Sequence, residues 1–234
     1  MIFGIIGPSE EEICPFVELM ESKAATSYAM LNFYEGTYNN VPVVSVFSGA
    51  CKVNAAIATQ ILISKFNVSH LIHIGVAGAL KDDMSVGDII VPDAIAYHDV
   101  LPEIITEYHP WMKDEYFRPD RGMLTACLDM MKSNYSAKRW FSGKAITGEA
   151  FIHDDERSKL VSKYDPYCVD MESAAVAHAC YVNKIPFIVI RSISDNADDC
   201  GSEDFDNNVA SSSLNAIEVV KDFIKHYTKP PASI

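Results

Sequence analysis

Cys168-Val-Asp-Met-Glu-Ser-Ala-Ala-Val-Ala-His-Ala-Cys-Tyr-Val-Asn-Lys-Ile-Pro-Phe-Ile-Val-Ile-Arg-Ser-Ile-Ser-Asp195 is the stretch on which the fold turns. It reads as a short strand over 168–171, a helix rich in alanine and valine, and a second strand over 185–195. Two strands joined by a helix make a βαβ unit, whose strands are expected to lie parallel with their carboxyl ends pointing the same way. Open parallel sheets expose ligand-binding groups at those ends. Asp170 and Glu172 close the first strand and Asp195 closes the second. A single acid at a strand end is ordinarily just the place where the chain surfaces. Three at one edge, with Arg191 on the face of Asp195 at period two, point to a site.

Working outward, Ile2 to Ile6 is a buried strand that turns at Gly7-Pro8 into a helix capped by Ser9. Glu10 and Glu11 complement the helix dipole there, while the role of Glu12 is left open. Three consecutive glutamates would repel an anion, so this turn is not expected to hold phosphate. Phe33 to Ser48 alternates about Asn39-Asn40 as a hairpin, and an apolar helix follows to about Phe66. His70 to Ile74 is a buried strand ending in the small residues Gly75 to Ala79, where a ligand or a neighbouring backbone can approach closely. Val86 to Tyr97 holds a strand at 88–92. The aromatic and charged mixture over 101–121 has no period and reads as a long binding loop. A helix over 123–132, a strand over 140–147 and a strand end running through Gly148 to Ile152 come next. Phe151 reads as core from pattern alone. An amphipathic helix over 207–226 finishes the chain, with Pro230-Pro231 ending the order.

Composition narrows the class. The chain has 234 residues with 49% apolar content and a net charge of −13, enough for one α/β domain over 1–234 with a large core. No basic cluster exists to neutralise phosphates, so neither nucleic acid nor an anionic membrane is an expected partner. The substrate is expected to be neutral or cationic. The six cysteines are scattered without a Cys-x-x-Cys pair, which reads as reduced thiols in a cytoplasmic protein, with no zinc site. The opening Met-Ile-Phe-Gly-Ile-Ile-Gly lacks a basic region and is broken by Pro8, so no signal peptide is expected, and no apolar run is long enough for a membrane span. The lone His98-Asp99 pair reads as structural.

Several segments in register resemble one family. They are Gly4 to Gly7 with Glu10 to Glu12, Ser48-Gly49 with Lys52-Val53, Gly75 with Ala77-Gly78, Val86 to Ile89, Tyr97 to Asp99, Gly148 with Ala150 to Ile152, Val169 to Glu172, and Arg191 with Ile193 to Asp195. Together they are similar to the 5′-methylthioadenosine/S-adenosylhomocysteine nucleosidases of the nucleoside phosphorylase superfamily. The resemblance implies a three-layer α/β/α fold with a central twisted mixed β-sheet, a homodimer, no cofactor, and a place in methionine salvage. It implies cleavage of the N-glycosidic bond of 5′-substituted adenosines, a small-molecule nucleoside substrate and adenine as product. Glu12 would activate water, and Asp195 would carry the proton that reaches N7 of adenine. Met171 and Glu172 would hold the ribose. Phe151 would stack on the purine, Ile152 would read its edge through the backbone, and Gly78 would line the site. Ser194 and Arg191 would support, and Phe205 would close over the 5′ group from a partner subunit or a mobile segment.

Other readings belong to the same fold or to a different class. A purine nucleoside phosphorylase needs cations around its phosphate, whereas here the first turn is acidic. A futalosine-type nucleosidase would be expected to carry asparagine rather than Asp195. A non-catalytic nucleoside-binding protein has no need of Glu12, Glu172 and Asp195 together. Three features depart from the family's pattern, all toward the 5′ side of the substrate: Val76 stands where a serine is common, Val100 to Ile105 replaces an aromatic run, and Ser9 and Ala50 are small.

Overall fold

A computed structural model describes residues 1–229; the expected end of order at Pro230-Pro231 lies outside the described residues. In chain order the elements are β1 (Phe3–Gly7), α1 (Glu10–Leu19), β2 (Glu21–Tyr28), β3 (Leu31–Tyr38), β4 (Val41–Phe47), α2 (Lys52–Phe66), β5 (His70–Ala79), β6 (Ile89–Ile90), β7 (Ala94–Tyr97) and α3 (Pro102–Thr106). They continue with α4 (Arg121–Asn134), β8 (Trp140–Phe141), β9 (Lys144–Thr147), α5 (Asp154–Tyr164), β10 (Cys168–Asp170), α6 (Ser173–Asn183), β11 (Phe187–Asp195) and α7 (Gly201–Tyr227).

All the strands share one mixed sheet that branches at β5. The first four strands form the order β2-β3-β4-β1, which joins the early half of β5. One arm beyond β5 runs through β10, β9 and β7, and the other through β11, β6 and β8. Helices cover both faces. On one side α2 and α6 pack together over Leu62, Leu71, Val176 and Val189. On the other α1, α4 and α7 bury Phe16, Met130, Val220 and Phe223. The three-layer mixed α/β architecture expected from sequence is the one observed.

The topology corrects the opening inference in one respect. β11 runs parallel to β5, but β10 pairs with its end antiparallel, so β10 and α6 and β11 are not a parallel βαβ unit. Their ends converge for another reason. Val169 of β10 and Asp195 of β11 both pair with Gly78, so the two strands meet at one residue of β5. A bulge between Ile193 and Asp195 also breaks the period-two relation of Arg191 to Asp195, and the two side chains have separate partners.

Other boundaries moved. β2 has an almost fully exposed side-chain pattern, so no apolar alternation announces it; it is held by its backbone pairing with β3. The expected strand over 140–147 is divided at Ser142-Gly143, and its halves join opposite arms of the sheet. The strand expected over 88–92 shortens to β6, and β7, not expected as a strand, follows beyond Pro92 on the other arm of the sheet. Residues 148–153 form a loop rather than a strand end, and the polar α5 behind it carried no apolar stripe to mark it. The long loop over 101–121 is present apart from the short α3.

Candidate active site

Gly7-Pro8 ends β1, and Ser9 caps α1 by accepting from the Glu12 backbone N–H at 3.3 Å. One helical turn in, Glu10 and Glu11 face solvent while Glu12 is buried. Its Oε1 accepts the Val76 backbone N–H at 2.8 Å, which ties the first helix to the middle of β5. Burial pushes the Glu12 carboxyl above its ordinary range, and nearby Arg191 only partly offsets this.

Asp195 sits two residues further along β5, against Gly78. It accepts from the Ala197 backbone N–H at 2.9 Å and from the Ser194 hydroxyl at 2.9 Å. Burial raises its pKa, these two hydrogen bonds oppose the shift, and Asp198 and Asp204 add to it. Asp199 points elsewhere and lies 3.3 Å from His153 Nδ1. A β-strand advances about 3.3 Å per residue, so the two points of β5 that meet Glu12 and Asp195, Val76 and Gly78, are roughly 7 Å apart. Gly78 is required there: a Cβ would stand 2.6 Å from Asp195 Oδ1 and 2.9 Å from the Ala197 Cβ.

Glu172 is the third acid. Its Oε1 accepts the Cys51 backbone N–H at 2.8 Å, and its Oε2 lies 3.5 Å from Arg191 Nη2. Burial pushes its carboxyl up to about 7, with Arg191 and the Cys51 N–H opposing the shift and Asp170 and Glu12 adding to it. Arg191 is wholly buried beneath these acids, 3.0 Å from Asp170 Oδ2 through Nε and 4.0 Å from Glu12 through Nη1.

One cavity of about 220 Å³ joins these groups. Glu12, Glu172 and Asp195 open into it together with Gly78, Phe151, Ile152, Met171, Ser194 and Phe205, so every residue expected at the site lines it except Arg191, which supports from below. Phe151 is 38% exposed and meets Phe205 edge-on at 5.7 Å, so it is a wall of the cavity and not core. Phe205 reaches the cavity from the first turns of α7 in this same chain. Pro8, Ser9, Ala50, Val76 and Asp170 are also among its lining residues, none of which is a lysine or arginine. Among the described residues no cluster of metal-ligating side chains occurs.

Sequence reasoning missed several contributors. The Cys51 N–H acts through the backbone and leaves no mark on residue type. Ser173 and His73, which hold Arg191, are buried polar residues in apolar surroundings; His73 inside Leu-Ile-His-Ile-Gly was the visible signal. Lys52, ion-paired with Asp99 at 2.7 Å, fastens the start of α2 to the end of β7 and gives the His98-Asp99 pair its structural role.

Three acids thus open into one cavity of a mixed α/β sheet, and the comparisons place that fold. The model of the Phosphorylase superfamily matches residues 2–225. A 5′-methylthioadenosine/S-adenosylhomocysteine nucleosidase of Exiguobacterium sp. is 36% identical over 225 residues, covering 94% of this chain and 96% of that protein. The crystal structure of such a nucleosidase from Colwellia psychrerythraea 34H in complex with adenine superposes with a TM-score of 0.90 at 30% identity, covering 97% of this chain and 96% of that one. The futalosine hydrolase of Helicobacter pylori strain 26695 superposes with a TM-score of 0.88 at 26% identity, covering 96% and 97%. The chain belongs to the phosphorylase superfamily and, within it, to the 5′-methylthioadenosine/S-adenosylhomocysteine nucleosidases.

Proposed function

We propose that the cavity binds a 5′-substituted adenosine and hydrolyses its N-glycosidic bond, releasing adenine. The observation that carries this reading is the pairing of Glu12 and Asp195 in one cavity whose lining has no cation. A phosphorolytic site must neutralise a phosphate dianion, and the nearest buried cation, Arg191, is already committed to Asp170, Glu172 and Glu12.

Cleavage builds positive charge on the sugar and negative charge on the departing base. Glu12 takes a proton from water as its oxygen attacks the anomeric carbon. The bonding pair leaves with the base, and Asp195 delivers its proton to N7 of adenine. Each proton transfer contributes on the order of 10²–10⁴-fold. Glu172 and Met171 hold the ribose, and Glu172 also favours the cationic sugar. Phe151 stacks on the purine, the Ile152 backbone reads its edge, and Ser194 steadies Asp195. Phe205 with Val76, Ala50, Pro8 and Ser9 encloses the 5′ substituent, for which methylthioadenosine, S-adenosylhomocysteine and 5′-deoxyadenosine are the candidates.

Asp195 favours adenine over a 6-oxopurine, which sets the futalosine-type reading second. The chain acts as one domain without cofactor or metal, in the cytoplasm, where its scattered free thiols remain reduced and its products enter methionine salvage. It forms a homodimer through the apolar surface around α2, α3 and α6, where Val53, Leu101 and Trp111 are each more than 60% exposed.

The test is purine release from methylthioadenosine, S-adenosylhomocysteine, 5′-deoxyadenosine and inosine in phosphate-free buffer. Rapid release of adenine from the 5′-substituted adenosines, with inosine poor, is the expected result. An absolute phosphate requirement would overturn the hydrolytic reading.

A further inference from the structure

His73 is a fully buried titratable side chain to which the hydrolytic chemistry gives no task. It lies in β5, level with Ile6 of β1 and Val189 of β11. Its ring meets polar groups from two elements. Arg191 Nη2 is 3.1 Å from Nε2 and 3.4 Å from Nδ1, and Ser173 Oγ at the start of α6 is 3.3 Å from Nδ1. A guanidinium has donors only, so the ring nitrogen nearest to it must present a lone pair. This assigns Nε2 as the acceptor and places the ring proton on Nδ1, facing Ser173. Burial, and then the charge of Arg191, hold the ring well below the ordinary histidine range.

We propose that His73 is a positioning residue: as a neutral acceptor it pins the Nη2 edge of Arg191, and through that guanidinium it sets the ionisation of Glu12 and Glu172. The proposal rests on the hydrolytic reading above, in which those two carboxylates face the substrate.

Arg191 spreads its donors over a crowded set of acids. Nε reaches Asp170 Oδ2 at 3.0 Å, and Nη2 reaches Ser173 Oγ at 3.1 Å besides His73. Nη1 has no hydrogen-bond partner among the described residues and faces Glu12 Oε1 at 4.0 Å. Gly75 keeps this seam open, because a Cβ there would collide with Arg191 Nη1 and lie 2.6 Å from Glu12 Oε1. The groups acting on Glu12 are Arg191, the Ser9 hydroxyl, the Val76 N–H and Asp170. Those acting on Glu172 are Arg191, Asp170, the Cys51 N–H and Glu12. Arg191 is the one cation in both sets and the largest influence opposing burial in each. A side chain that fixes Arg191 therefore acts on both acids at once, and His73 meets the guanidinium at the edge away from Glu12.

The experiment compares His73→Met, which removes the acceptor at similar volume, with His73→Gln, which keeps one. The readouts are the pH profile of kcat/KM and the imidazole ¹⁵N shifts of the unaltered protein, His73 being assigned by its absence from the His73→Gln spectrum. In His73→Met the acid limb should move up by about one pH unit. Its kcat at neutral pH should fall about tenfold, with KM changing less than about threefold. His73→Gln should restore the limb, and the wild-type ring should remain neutral and Nδ1-protonated across the active range. A folded His73→Met with an unmoved limb, or a ring that titrates or carries its proton on Nε2, overturns the proposal. If His73→Met does not fold, the decision falls to the other two measurements: a wild-type limb in His73→Gln with a neutral Nδ1–H ring supports the proposal, and either one failing overturns it. Glu12→Gln is measured in parallel. Wild-type turnover in that variant would sink the hydrolytic reading itself, whereas an inactive Glu12→Gln beside an unmoved His73→Met limb sinks the His73 role alone.

Discussion

Asp195 and Glu12 must work in opposite protonation states, yet burial raises both. For Asp195 the shift is useful, since a higher pKa keeps the proton that the departing adenine needs, and activity falls as pH rises through that value. For Glu12 the shift is a cost, because the base must be ionised, and activity rises with pH through its value. The result is a bell-shaped dependence of kcat/KM on pH. Asp195→Asn should lower kcat/KM by roughly 10²–10⁴-fold and remove the alkaline limb, with the thermal midpoint little changed. Turnover assays across pH beside a melting curve check both halves. Glu172 and Asp195 were legible in the sequence because each follows an apolar strand where the chain surfaces, whereas Glu12, last of three consecutive glutamates, was singled out only by the family resemblance. The groups that tune them were not, because a backbone N–H from Cys51 or a hydroxyl from Ser173 depends on how distant segments meet.

At the scale of elements, β5 is the member that brings the site together. Its first half pairs with β1 and its end with β10, β11 runs beside it from Leu71 to Gly78, and Gly75 and Gly78 lie where Arg191 and Asp195 press closest. Gly78→Ala would drive a methyl into Asp195 Oδ1 and Ala197. We expect kcat/KM to fall at least about tenfold, the equivalent of about 1.4 kcal/mol, with adenine binding weakened, as read by steady-state kinetics and by adenine titration. The elements that sequence placed well, from β1 and α1 through the Asn39-Asn40 hairpin to α7, each carry a local signal such as a cap, a turn pair or an amphipathic stripe. The failures share a different cause. β8 with β9 read as one strand because nothing polar enough to end it stands at Ser142-Gly143, and β7 went unread beyond the strand at 88–92, while the sheet sends these pieces to different neighbours. The antiparallel setting of β10 is likewise a property of the branched sheet, not of residues 168–170.

For the whole molecule, two expectations can be measured. Val53 and Ile57 are exposed on α2, Tyr181 and Val182 are exposed on α6, which packs against it, and Trp111 connects to α6 through His109 and His178. If a second copy covers this face, Tyr181→Arg with Val53→Glu should halve the mass seen by light scattering while leaving the circular dichroism spectrum unchanged. The second expectation concerns stability. Glu172 titrates near 7 in the folded chain and at about 4.5 when unfolded, so between those values the folded state binds more protons and stability falls as pH rises. This contribution is complete below the lower value and gone above the upper one. It amounts to on the order of 3 kcal/mol. Glu172→Gln should flatten that part of the slope in urea titrations between pH 4.5 and 7.5.

Arg191 alone faces the three carboxylates of Glu12, Asp170 and Glu172, so negative charge is in excess beside the cavity. A ligand that brings its own positive charge to the sugar position would complete the set. An adenine analogue with an amine in place of the ribose ring oxygen should therefore raise the melting temperature well beyond its uncharged counterpart. The difference should shrink as the pH is lowered and the carboxylates take up protons instead.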